Sequence, residues 1–194
     1  MPSQAKHPSP DFTLFVDSLR ELWSEKLQPE DHWSKVSELM QPLLASDDLQ
    51  RRSESWPVTT GTNLLFYEDP DYGFVVNAVV RDPERTGAVH DHAHTWTAYG
   101  ELVGGETVAR YERIDDGSRS DYAELRPMGA IDAMPGVVDV VPPWLVHSET
   151  SRDKRAVAII IRSQKLGSFR QNHFDPETNK VTQGAGPTPT PYEP

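Results

Sequence analysis

Beyond Val58 the chain is a series of short β-prone runs, with no helical period between any two of them. The runs are Leu64–Tyr67, Phe74–Val80, Thr95–Leu102, Thr107–Ile114, Asp121–Leu125, Val137–Val141 and Ala156–Ile161. A parallel sheet needs a long crossover between strands, usually a helix. None is available here, so the pattern selects an antiparallel all-β sandwich or barrel. Asp69-Pro70-Asp71 and Asp115-Asp116-Gly117 are turn signals, and Gly104-Gly105 marks a tight hairpin. Ala156–Ile161 is almost wholly apolar, which predicts a strand buried on both faces.

The first quarter reads differently. Phe12, Phe15, Val16, Leu19, Leu22 and Trp23 recur at spacings of three and four, which predicts a helix from Pro10 to about Lys26. Pro10 suits its first turn, where no backbone N–H is needed. Trp33, Val36, Leu39, Met40 and Leu43 form a second stripe, predicting a helix over 29–44 with Glu30 and Asp31 at its positive end. Both helices read as packing elements without chemistry of their own. Ala45–Trp56 is a charged connector or short helix, and the residues before Pro10 are a loose, Pro-rich arm. The sequence therefore divides into an arm with helices (1–56), a barrel (57–174) and a Pro-rich tail (175–194). The last segment, Gly184–Pro194, is expected to be disordered or laid as an extended arm on a neighbour.

Composition narrows the chemistry. With 194 residues the chain suits one core plus an accessory segment. It carries 30 acidic against 19 basic residues, and no stretch concentrates Lys or Arg. That argues against nucleic acid and anionic membranes as partners, since both need a local positive field. A small anionic substrate needs only one or two buried Arg residues and remains open. Cys is absent, which removes disulfides, thiolate nucleophiles and Cys-ligated zinc. No apolar run approaches the length of a membrane span and no signal peptide is legible, so a cytoplasmic protein is expected.

Three of seven His fall within Gly87-Ala88-Val89-His90-Asp91-His92-Ala93-His94. In a strand, alternate residues face one side, so His90, His92 and His94 can present their imidazoles together. A solvated face tolerates this, whereas an interior needs protons, partners or a metal for them. His147, in Pro142-Pro143-Trp144-Leu145-Val146-His147, alone reads as a core histidine. With the earlier cluster it becomes a candidate third ligand, since a barrel brings distant strands face to face. Three neutral imidazoles suit iron, zinc, manganese, nickel or copper, and they leave positions for substrate, dioxygen or water. The lack of soft ligands disfavours a purely structural zinc.

These residues carry a family resemblance. Gly87, His90, Asp91 and His92, the Gly100–Gly105 segment, and Pro142-Pro143 with His147 resemble the two halves of the cupin pattern, and within the cupins the cysteine dioxygenase-like (thiol dioxygenase) group. The likeness spans Leu64 to Gln164. It implies an all-β double-stranded β-helix barrel with N-terminal helices outside. It also implies ferrous iron held by His90, His92 and His147, and dioxygen added to a small substrate. The sequence departs from the pattern in places. The usual cupin Glu falls on Trp96 or Thr97, and the Cys that some members cross-link to Tyr falls near Thr97. The late-strand Ser-His-Tyr relay falls on Ala158, Ile160 and Arg162.

The remaining candidates surround that site. Arg81 is a solvated turn residue or an anchor for a substrate anion. Arg162 shares parity with Ala158 and Ile160, and stands where the relay Tyr would be, as anchor or relay. His94 is a fourth ligand, a base or a surface residue. Trp96 shares parity with the histidines as a pocket wall, while Tyr99 enters the pocket only through a bulge. Trp144 is pocket wall or core. Glu149 is solvated or fixes the tautomer of an imidazole. His7 and His32 read as structural, and His173 closes over the pocket if the C-terminal segment folds back.

The expectation is an iron(II) dioxygenase whose partners are dioxygen and a small, anionic substrate anchored by Arg81 or Arg162. Cleavage of a carbon–carbon bond in a diketone, enol or phenol is the alternative, because it needs the histidines but not the relay. An oxygen-independent lyase or isomerase and a ligand-binding cupin are the other classes. By analogy with cupins, a homodimer is the oligomer to expect.

Overall fold

A computed structural model describes residues 9–194. His7 and most of the N-terminal arm lie outside them. Among the described residues three helices come first: α1 (Pro10–Ser24), α2 (Pro29–Leu44) and α3 (Asp47–Ser53). Proline opens α1 and α2, and the Ser46 hydroxyl accepts from Leu49 N at 3.2 Å to cap α3. Among the described residues no helix is long and apolar enough to cross a membrane.

Twelve strands follow: β1 (Thr62–Glu68), β2 (Val75–Arg81), β3 (Val89–His90), β4 (Thr97–Val103), β5 (Glu106–Arg113), β6 (Leu125–Ala133), β7 (Val138–Val141), β8 (Val146–Ser151), β9 (Ala156–Arg162), β10 (Gln171–Asp175), β11 (Lys180–Gly184) and β12 (Thr188–Pro191). They form two six-stranded sheets, ordered β12-β1-β2-β9-β4-β7 and β11-β10-β3-β8-β5-β6. From β2 to β5 the chain alternates between the sheets, and from β6 to β9 it alternates back. The result interleaves the two halves as β2-β9-β4-β7 in one sheet and β3-β8-β5-β6 in the other. That order is the double-stranded β-helix. All pairings are antiparallel except β1 with β12.

The main apolar core lies outside the barrel. Val76, Ala78 and Val80 of β2, Ala98 and Leu102 of β4, and Val157, Ile159 and Ile161 of β9 pack against Leu19, Trp33, Val36, Met40 and Leu43 of the helices. Alternation then turns Arg81, Thr97, Tyr99, Glu101, Ala158, Ile160 and Arg162 toward the barrel interior. Strand β9 is thus covered on both faces, which is why it reads as a continuous apolar run.

Several expectations change. Gly104-Gly105 joins β4 to β5, which belong to different sheets, so it turns the chain across the barrel instead of making a hairpin. Asp121–Leu125 is not a strand; β6 begins at Leu125 and runs on with nearly every side chain exposed, so no alternation marks it. The tail is ordered as strands. It folds back on its own barrel, with β11 pairing β10 and β12 running parallel to β1. The prolines of β12 are tolerated because it is an edge strand.

Candidate metal centre

Strands β3 and β8 bring His90 and His147 directly opposite each other. The chain then leaves β3 in a turn fixed by Asp91. Its Oδ1 accepts from Ala93 N and Asn172 N, both at 3.0 Å, and its Oδ2 from Asn172 Nδ2 at 2.7 Å. Ala93 takes φ +50°, and the His92 carbonyl is held by Thr95 N and Thr95 Oγ1. This turn swings His92 into the barrel, where it is fully buried, and turns His94 out to the surface.

Potential ligand atoms of His90, His92 and His147 lie within 4.8 Å of one another. His90 Nδ1 stands 2.9 Å from Ala88 O, and His147 Nδ1 3.2 Å from Leu145 O. A carbonyl only accepts, so both Nδ1 atoms carry a proton, and the Nε2 of neutral His90 presents a lone pair. His90 Nε2 faces His92 Nε2 at 3.1 Å, and His147 Nε2 faces Glu149 Oε1 at 3.1 Å. A buried convergence of nitrogen lone pairs fits a divalent transition metal held by imidazoles. Burial pushes the His90 pKa down to about 4 and the His92 pKa further below its ordinary value, against the pull of Glu149. Both rings are therefore neutral, as ligation requires. For His147 burial acts in the same sense, but the Glu149 carboxylate outweighs it and the pKa rises.

A cavity of about 680 Å³ opens onto this cluster. Its wall includes Arg81, His90, Tyr99, Arg162, Gln171 and His173. Arg162 is 3 % exposed. It donates from Nη1 to Thr97 Oγ1 at 3.3 Å and from Nη2 to Tyr99 Oη at 3.0 Å, while its Nε has no partner. No carboxylate pairs with it among the described residues. Tyr99 Oη is 3.4 Å from His92 Nε2, and burial pushes its pKa up to about 12 despite Arg162. Tyr99 is thus a phenol that can donate beside the histidines. A second, small cavity of about 10 Å³ lies behind them, lined by Glu101, Glu106, Asp139, His147 and Glu149.

The other candidates fall as follows. Arg81 lines the main cavity but is already committed, bonded to Glu106 and 3.7 Å from Glu149 Oε2. His94 is exposed and meets Phe169 edge-on, so it does not enter the pocket. Trp96 stacks on Trp33 of α2 at 6.0 Å, outside the barrel. The Asp91 turn broke the parity that linked it to the histidines. The same break brings Tyr99 inward without a bulge at that residue. Trp144 is 58 % exposed at φ +65°, neither core nor pocket wall. His32 packs edge-on against Trp23.

Sequence reasoning gave too little weight to the partners from outside the histidine motifs. Glu149 is buried beside His147. His173 on β10 lies opposite His90 in the ladder, and Gln171 lines the same cavity. The alternation of Gln171 and His173 was the available signal, masked by reading that region as the approach to a tail.

Fold and site together define a class: a double-stranded β-helix barrel with three histidines gathered inside it. No family model matches the sequence, and no curated protein does. Solved structures similar to it include the cupin domain of Cnp3 from Schizosaccharomyces pombe, at 10 % identity and TM-score 0.44 over 58 % of this chain and 72 % of that one. A cupin-2 domain protein from Shewanella frigidimarina aligns at 16 % identity and TM-score 0.41, over 63 % of this chain and 96 % of its own. An oxalate oxidase in complex with the substrate analogue glycolate aligns at 18 % identity and TM-score 0.42, and 56 % of each chain is covered. The chain thus spans little more than half of that oxidase. The assignment of fold and site rests on this chain's own strand order and side chains.

Proposed function

We propose that the protein is a cytoplasmic, non-heme iron(II) dioxygenase acting on a small organic anion, in the manner of the thiol dioxygenases. The observation that carries this reading is the unpaired, buried guanidinium of Arg162 in the cavity onto which the histidines open. A buried charge without a counter-ion is costly, and an anionic ligand is what would neutralise it. His90, His92 and His147 would hold the iron, which when bound supplies a spin-allowed route to dioxygen.

The chain's own groups orient the substrate. Arg162 offers a planar fork to a carboxylate or enolate. Tyr99, held by Arg162, can donate its phenolic proton toward a substrate oxygen near His92. Val79 and Ala88 give the cavity wall apolar surface. Arg81, neutralised by Glu106 and Glu149, belongs to the frame of the site and not to the substrate anchor.

A specific observation favours the carbon–carbon-cleaving alternative as the second reading. Ala158 and Ile160 stand on the inward face of β9 at the places of two relay residues, so the interior there has no proton shuttle for a thiol. A diketone, enol or phenol does not need one.

The test is oxygen uptake by anaerobically reconstituted iron protein, with carboxylate-bearing thiols, diketones and phenols as separate panels. One panel should support uptake, and Arg162→Met should raise its KM about 10- to 100-fold, the worth of a charge-assisted hydrogen bond. Full metal occupancy without uptake on any panel would move the assignment to an oxygen-independent lyase or isomerase.

A further inference from the structure

The main cavity has more room and more polar wall than one carboxylate uses. Its volume of about 680 Å³ lies in the range of pockets that bury ligands of drug size. Arg162 can take one anionic group there. A second anionic group would find no other buried, unpaired cation on that wall among the described residues. Arg81 is taken by Glu106, and Arg85 is exposed. The remainder of the ligand is therefore uncharged.

Two neutral side chains of the wall have unmet hydrogen-bonding atoms. Asn63 of β1 and Gln171 of β10 both line the cavity, and they are 1 % and 2 % exposed. Leu64 belongs to the apolar layer against the helices, so alternation turns Asn63 inward. Asn63 Nδ2, a donor, and Gln171 Oε1, an acceptor, have no partner. Burying either atom unpaired is costly, and both stand on the wall of one cavity. The tail keeps Gln171 in this place. Gly184 is its ladder partner, and Gly186, at φ +75°, passes so close that a Cβ there would lie 2.9 Å from Gln171 Oε1. Only glycine allows that approach.

We propose that Asn63 and Gln171 determine specificity by hydrogen-bonding an uncharged amide chain whose carboxylate end is held by Arg162. An amide offers one carbonyl acceptor and one N–H donor, the complements of the two unmet atoms. Asn63 and Gln171 stand on different sheets, so a chain with two amides suits the pair. A hydrocarbon chain of equal length satisfies neither. The inference rests on the anchoring role given to Arg162 above, and it narrows the small organic anion to a short acyl-amide acid.

The test is calorimetric titration of the full chain, without dioxygen, with N-acetylglycylglycine and with octanoate, a hydrocarbon acid of the same chain length. The parent should bind N-acetylglycylglycine at least about 10-fold more tightly, the worth of two neutral hydrogen bonds. Asn63→Leu and Gln171→Met should each weaken that binding about 3- to 10-fold and should not weaken octanoate. Arg162→Met should weaken both probes. In the parent alone, N-acetylglycylglycine should shift side-chain amide resonances that octanoate leaves in place, a readout that does not depend on any variant folding. Equal affinity of the parent for the two probes would overturn the specificity, as would Asn63 and Gln171 variants that weaken both alike. A loss in Arg162→Met would in either case leave the carboxylate anchor standing. No binding of either probe by the parent would overturn the anchor and the specificity together.

Discussion

At the scale of single residues, the barrel interior is unusual in what it buries. Glu101 is 2 % exposed and one of its oxygens has no hydrogen bond. Burial, reinforced by Glu106 and opposed by Arg81, raises its pKa from 4.5 to about 9. The folded protein therefore keeps a proton that the unfolded chain releases above pH 4.5. Stability from this group is complete below that pH and is lost as pH rises toward about 9. Glu101→Gln should remove that loss. Urea midpoints of metal-free parent and variant between pH 5 and pH 9 should diverge in favour of the variant as pH rises; parallel curves would mean Glu101 is ionised in the fold. The sequence could not announce this residue. An acid next to Gly100 on a β-prone run reads as solvated, and only the packing of β5 and β8 behind it makes it interior. His90, His92 and His147 were legible because imidazoles at that spacing have few uses inside a barrel. His94 was not separable from them, since its outward turn depends on Asp91 bonding Asn172 from a strand 81 residues away.

At the scale of elements, legibility follows where the apolar surface lies. Helices α1 and α2 and strands β2, β4 and β9 meet in one apolar layer, and their periodicity shows it. Strands β3, β6 and β8 line a polar interior or stand in water, so nothing in their composition separates them from loops. The layer between α2 and β4 is close at Gly100. A Cβ there would lie 2.5 Å from Met40 Cε and 2.8 Å from Leu44 Cδ1. Gly100→Ala should therefore cost about 1–3 kcal/mol by overpacking, read as a lower urea midpoint. A neutral effect would mean α2 rides more loosely on the sheet. Trp33, 3 % exposed and stacked on Trp96, is the larger anchor of the same helix. Trp33→Ala should cost about 3–5 kcal/mol, with the far-UV signal of both sheets retained below the lowered midpoint.

At the scale of the whole molecule, the helices seal the outer face of one sheet and leave the barrel mouth to the C-terminal segment. Strand β11 ends the second sheet and β12 ends the first, so residues 185–187 cross from one sheet to the other along the cavity wall. The polar, Pro-rich composition that suggested disorder is compatible with this because the arm borrows backbone partners from β1 and β10 and needs no core of its own. Deleting residues 185–194 should leave the barrel folded but speed amide exchange at residues 62–65, whose parallel partner strand is then gone. Unchanged exchange there would mean that the arm is not seated on β1 in solution. The proposed chemistry depends on His90, His92 and His147 meeting at one metal. The most direct measurement is elemental analysis of protein purified and reconstituted without oxygen, beside His147→Ala. About one equivalent of transition metal in the parent, and little in the variant, is the expected result. No bound metal in either protein after reconstitution would contradict it.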